Sequence, residues 1–229
     1  MRMTYLTMFL FLSTMFLFSS CGHDDDISDN SDVYLTCPDS NHPHKIDLAL
    51  PSGTKWACCN IGANFPAEYG GHYGWGEMEP KEKYNWETYA LYDNENDSYV
   101  LSGNDIAGTQ YDVAHVKWGG SWQMPSVYQF RELCNNCSWS WTEQNGVNGL
   151  LVSGLNGGAI FLPAAGILWN NEYGYGGHEH NGEEGFYWSS TLYPNDEEYA
   201  YYLHSGSEGE GWEHYYLRVY GLTVRAVCP

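Results

Sequence analysis

Pro125-Ser126-Val127-Tyr128-Gln129-Phe130-Arg131-Glu132-Leu133-Cys134 carries the clearest helical signal in the chain. Ser126 followed three places on by Gln129 makes a capping box, in which each side chain satisfies the other residue's backbone N–H. Val127, Phe130, Leu133 and Cys134 then fall at helical spacing on one face. Upstream, Asp112 to Lys117 reads as a shorter helix stopped by Gly119-Gly120. The remainder reads as short strands and turns. Leu150-Leu151-Val152 and Ala159-Ile160-Phe161-Leu162 flank Asn156-Gly157, a hairpin signal. Tyr187-Trp188, Tyr199 to Leu203, His214 to Val219 and Leu222 to Val227 read as further strands, with Gly221 expected to turn the chain between the last two. No linker or repeat divides residues 34–229. The expectation is one α+β domain, long loops carried on an antiparallel sheet.

Composition excludes several functions. The 229 residues include 29 Asp and Glu against 9 Lys and Arg, a net charge of −20. Nucleic acid requires Lys and Arg to neutralise its phosphates, so it is excluded as a partner, and polyanions fall to the same Coulomb argument. Aromatic residues make up 17% of the chain, enough apolar surface to argue against disorder.

The amino terminus reads as an address. Arg2 precedes an uncharged apolar run from Tyr5 to Phe18 that ends in Phe18-Ser19-Ser20-Cys21. It is shorter than a membrane-spanning helix and closes on small residues, so residues 1–20 read as a cleaved signal. The ending resembles a bacterial lipobox, which implies lipidation of Cys21 and an anchor in the outer membrane. The acidic tether of residues 21–33, with Asp24-Asp25-Asp26, resembles the surface-export signal of Bacteroidetes lipoproteins and implies a protein facing the cell exterior. Six cysteines remain: Cys37, Cys58, Cys59, Cys134, Cys137 and Cys228. Structural disulfides suit an exported chain, with Cys134 expected to pair with Cys228, and Cys37 and Cys137 with Cys58 and Cys59. Cys134 and Cys137 have the CxxC spacing of a redox centre, but the motif closes a helix where a redox site would open one. A zinc site there lacks a second ligand pair.

Ordered segments across residues 35–229 together resemble the Fibrobacter succinogenes major paralogous domain. They include Leu48-Ala49-Leu50-Pro51-Ser52-Gly53-Thr54-Lys55-Trp56-Ala57, Trp75-Gly76-Glu77-Met78-Glu79-Pro80, Trp118-Gly119-Gly120-Ser121-Trp122-Gln123-Met124-Pro125, Phe161-Leu162-Pro163-Ala164-Ala165-Gly166, Tyr187-Trp188-Ser189-Ser190 and Tyr220-Gly221-Leu222-Thr223-Val224-Arg225-Ala226-Val227. The resemblance implies a C-type-lectin-like fold, related to formylglycine-generating enzymes: a small twisted antiparallel sheet, two short helices and long ligand-displaying loops. It implies no particular activity.

Charge and ring placement point to the site. Between Arg131 and Arg218 there is no Lys or Arg, yet twelve acidic residues lie from Glu132 to Glu213, and ten of the twenty tyrosines fall between Tyr173 and Tyr220. Tyr and Trp offer rigid amphipathic surface at low ordering cost, and flat rings suit the apolar faces of sugars. The expected binding residues are Trp169, Tyr173, Tyr175, Tyr193, Asp196 and Trp212, on the 167–185 loop and the 193–214 segment; Trp188, Tyr201 and Leu203 are expected in the core. The expected partner is an extracellular neutral glycan. A protein, bound as by an adhesin or a fimbria-associated component, is the alternative. His178, His180 and Glu183 could ligate a metal, though a solvated acidic loop is the simpler reading. Asp93, Glu95 and Asp97 alternate like the start of a calcium loop but lack its later Gly and Glu, and Trp188-Ser189-Ser190 has hydroxyls where calcium-dependent lectins carry carboxamide and carboxylate. No cofactor is therefore expected, calcium being the one considered. GxSxG, HExxH and phosphate-loop patterns are absent, and Glu77 with Glu79 is no more than a reminder of a glycosidase pair. The expectation is a non-enzyme, a metal-dependent enzyme akin to the formylglycine-generating proteins being the remaining alternative.

Overall fold

A computed structural model describes residues 43–229 apart from Ser102, Glu172 and Gly174, with the backbone alone of Glu213. The expected signal, the expected lipidation site Cys21, the expected tether and Cys37 lie outside the described residues. In chain order the elements are β1 (Lys45–Asp47), β2 (Lys55–Ala57), β3 (Tyr92–Asp93), β4 (Ser98–Tyr99), α1 (Val113–Trp118), α2 (Val127–Asn136), β5 (Ser138–Gln144), β6 (Val147–Ser153), β7 (Ala159–Pro163), β8 (Ile167–Asn170), β9 (Gly176–Glu179), β10 (Glu184–Leu192), β11 (Tyr199–Gly206), β12 (Gly209–Leu217) and β13 (Val227–Cys228). The protein is α+β, as expected, with antiparallel pairing within every sheet. In place of one sheet there are three three-stranded sheets, ordered β1-β2-β13, β5-β6-β7 and β10-β11-β12, and two two-stranded ones.

Both helices stand where local chemistry predicts. The Ser126 hydroxyl accepts the Gln129 N–H at 3.3 Å and Gln129 Oε1 accepts the Ser126 N–H at 2.8 Å. Val127, Phe130 and Leu133 are buried, the latter two in one cluster with Val152 of β6, Ile160 and Leu162 of β7 and Leu203 of β11. At the head of α1, Asp112 caps Ala114 and His115. The β6–β7 hairpin forms around Asn156-Gly157. A second hairpin, β5–β6, turns on Asn145-Gly146, both with positive φ (52° and 78°), the pairing that a two-residue turn requires.

The carboxyl-terminal segment departs from expectation. Leu222 to Val227 is no single strand: Leu222 pairs with Tyr73, Thr223 with Tyr187, and Val227 with both Trp56 and Gln123. The segment threads between layers and is buried throughout, which period-two patterning cannot tell from an ordinary strand. Nor does Gly221 make the turn. Tyr220 N–H closes it on Leu217 O, while Gly221 exchanges hydrogen bonds with Leu168, and a Cβ at Gly221 would stand 2.7 Å from the Tyr84 ring. Two indoles lock this middle layer, Trp75 Nε1 donating to Ser189 O and Trp188 Nε1 to Tyr73 O, each at 2.8 Å. Trp188 and Leu203 lie in the core as expected.

Cys134, Cys137 and Cys228 are thiols. The expected Cys134–Cys228 bridge is not formed, because Cys134 packs with the α2 cluster whereas Cys228 faces the other core cluster, its Sγ 3.3 Å from Ser121 Oγ. Cys137 is likewise unbridged. Burial pushes the Cys134 thiol up to about 12 and that of Cys137 to about 11. Redox cysteines are activated in the opposite direction.

Candidate ligand-binding groove

Strand alternation builds the site. In β11, Ala200 and Tyr202 are buried on one face of the sheet, so Tyr199 and Tyr201 stand on the other. Tyr201 is directly opposite Tyr215 of β12. Tyr193, just beyond β10, stacks flat on Tyr215 with centroids 4.0 Å apart and planes at 16°, and meets Tyr201 edge-on at 5.5 Å. Tyr193 also holds the Tyr215 phenol above its ordinary value, through charge first and then hydrogen bonding. The same face that packs Tyr187 and Leu203 under α2 thus emerges past the helix's first turn as a tyrosine wall.

The opposing wall belongs to α2. Tyr128 and Arg131, one turn apart, lean over the sheet, and the Arg131 guanidinium lies 5.0 Å from the Tyr128 ring centroid and 5.7 Å from that of Trp212. Together with Asp105, Thr191 and Pro194 these residues line a groove of about 660 Å³. Asp105 is fixed at its edge by Ala107 N–H and the Thr191 hydroxyl. Tyr201, expected in the core, is half-buried and lines this groove.

The six expected binding residues divide between places. Tyr193 and Trp212 are in the groove. Trp169 packs on the core and against Tyr220, and Tyr173 and Tyr175 stand in solvent near the β8–β9 tip, at 76% and 71% exposure. Most of the expected 167–185 loop is this hairpin, and a separate cleft of about 350 Å³ is lined by Tyr173, Trp86 and Tyr220. Asp196 caps a turn by accepting the Glu198 N–H. Tyr128, Arg131, Tyr201, Tyr215 and Asp105 were not singled out as binding residues from sequence. Tyr128 and Arg131 carry a readable signal, being three apart and off the apolar face of α2.

The metal and calcium candidates resolve into local chemistry. His178 Nε2 lies 2.6 Å from Ala165 O, and His180 Nδ1 lies 3.2 Å from Glu184 and 4.0 Å from Glu183. Among the described residues no group of three or more His, Cys, Asp or Glu is arranged to hold a metal. Asp93 folds onto the Glu95 and Asn96 backbone in the β3–β4 turn. Ser189 and Ser190 are wholly buried. Glu77 accepts the Ala90 N–H and the Lys81 ammonium, each at 2.9 Å, whereas Glu79 pairs outside with Lys117.

His72 and His178 share one acceptor. His72 Nε2 is 3.0 Å from Ala165 O, and the two rings meet edge-on at 5.0 Å. Burial, followed by the nearby His178 charge, pushes His72 down to about 4 from its ordinary 6.5, against the pull of its backbone hydrogen bonds. The unfolded chain therefore takes up this proton first. Stability from His72 is fully present above pH 6.5 and falls by about 3 kcal/mol as pH drops to 4. Urea unfolding from pH 7.5 to 4.5 should show this loss in wild type and a shallower one in His72→Gln; equal slopes would refute it.

No family model, curated protein or solved structure matches the chain. Among the described residues no helix is long and apolar enough to cross a membrane.

Proposed function

We propose that this protein is a non-catalytic glycan-binding module carried on an outer-membrane lipoprotein, anchored through Cys21 and facing the cell exterior. The carrying observation is the groove of about 660 Å³ that Tyr193, Tyr201, Tyr215 and Trp212 line from the sheet and Tyr128 lines from α2. Saccharides present apolar C–H faces ringed by hydroxyls; aromatic walls edged by phenols, a carboxylate and a guanidinium meet both. The C-type-lectin-like fold and the kinship with the Fibrobacter succinogenes major paralogous domain belong to the same proposal, resting on the sequence segments given above. The engagement of Glu77 by Lys81 and Ala90 supports a structural part for that carboxylate.

A screen of the full chain in detergent against immobilised oligosaccharides tests this reading. Binding should appear, and Tyr193→Ala or Tyr215→Ala should weaken it by about 2 kcal/mol, roughly thirtyfold, since central aromatic anchors carry most of an interface's energy. Silence at high protein concentration, or variants that bind like wild type, would sink it. One observation favours a second reading: Tyr173 and Tyr175 form an exposed aromatic tip of the kind that protein partners bury.

A further inference from the structure

The described arginines divide sharply. Arg218 and Arg225 are wholly buried and donate to the Tyr89 hydroxyl, the Asn60 side chain and main-chain carbonyls, while Arg218 Nη2 has no hydrogen-bond partner. Arg131 is exposed, and its guanidinium holds no hydrogen bond or ion pair with any described residue. Tyr128 and Trp212 nevertheless flank it, their ring centroids 5.0 and 5.7 Å from its Cζ. Ring contacts use the faces of a guanidinium and leave its N–H groups, which radiate in the plane, for another partner.

Two neighbouring carboxylates are occupied elsewhere. Glu132, next in sequence, turns to Ser52 and accepts its N–H at 2.8 Å and its hydroxyl at 2.6 Å. Asp105, the carboxylate lining the groove, takes Ala107 N–H and the Thr191 hydroxyl. In a chain of net charge −20, with twelve acids between Arg131 and Arg218, a guanidinium steadied by rings and left without a carboxylate stands out.

We infer that the groove's ligand is a saccharide bearing a single carboxylate, which Arg131 grips in the bidentate manner while the tyrosine wall takes the sugar faces. This rests on the glycan-binding reading and adds the ligand's charge, replacing the neutral glycan expected from sequence. One carboxylate is also what the field allows. At about 0.1 M salt, charges beyond roughly 10 Å are screened, so Arg131 governs a single acid group at contact distance. A polyanion would reach past it into the surrounding acidic surface.

The test uses the full chain in detergent with matched probes: a xylo-oligosaccharide carrying one glucuronic acid branch against its methyl ester, and sialyllactose against lactose. The first pair carries a hexuronate, the second a nonulosonate, so the two arms separate the sources of the carboxylate. Calorimetry should give at least tenfold tighter binding of the acid in one pair, shrinking as salt rises. In Arg131→Gln that ratio should fall to about one, with Arg131→Lys intermediate because an ammonium lacks the planar fork. A wild-type ratio near one with measurable binding of the uncharged probe would overturn the inference and leave the glycan reading standing. An undiminished ratio in Arg131→Gln would do the same. Failure of all four probes and of the oligosaccharide screen would overturn both. Tighter Arg131-dependent binding of a peptide through its terminal carboxylate would overturn them in favour of a protein partner.

Discussion

Arg225→Ala should destabilise the protein by about 4 kcal/mol, the range found when a buried, hydrogen-bonded charge network is broken. The side chain is wholly buried. Nε donates to Asn60 Oδ1 at 2.8 Å, Nη1 to the carbonyls of Ala57 and Cys58 at 3.1 and 3.3 Å, and Nη2 to Phe161 O at 2.8 Å. It thereby ties the end of β2 and the turn after it to β7, across the segment that threads between layers. Alanine would leave a cavity and four acceptors deprived of this donor. Domains of this kind have only about 5–15 kcal/mol in hand, so the variant should unfold at far lower urea. Arg225→Met keeps much of the volume and should recover only the packing share. A loss below about 1 kcal/mol for alanine would mean that the network is not a keystone.

Asp112→Ala ranks second, at about 3 kcal/mol, from a lost helix cap and stranded N–H donors. The carboxylate is wholly buried. Oδ1 accepts Ala114 and His115 N–H at 2.9 and 3.0 Å, and Oδ2 accepts Gly108 and Met124 N–H at 2.8 and 2.9 Å. One group therefore caps α1 and also fixes Met124, two residues ahead of the Ser126 cap that sets the start of α2. Asp112→Asn retains one acceptor oxygen and should cost roughly half as much. Both are read by urea unfolding. Alanine should also weaken glycan binding in the folded fraction, since Tyr128 and Arg131 ride on the helix start; unchanged binding and stability would contradict this role.

What could be read from sequence follows the range of the interactions. Ser126 with Gln129, and Asn156-Gly157, encode their structures within a few residues, and both formed as expected. The 222–227 segment could not be read, because its partners lie in four different parts of the chain and alternation is indifferent to which strand pairs with each residue. Gly-rich composition likewise hid the β8–β9 hairpin. At the site, ring density pointed to Tyr193 and Trp212. The helix-borne wall escaped because α2 is set on the sheet by long-range packing, such as that of Phe130 and Leu133 on Leu203 and Tyr187. Arg131 bounds the cation-free span in sequence, but its place between Tyr128 and Trp212 depends on a contact about eighty residues away.

Hydrogen exchange of the full chain, with and without a saturating oligosaccharide from the screen, tests the central claim most directly. Ligand should slow exchange at residues 128–131, 191–194, 201 and 212–216 and leave 173–179 unchanged. Protection centred on the β8–β9 tip, or none near the tyrosine wall, would contradict the account.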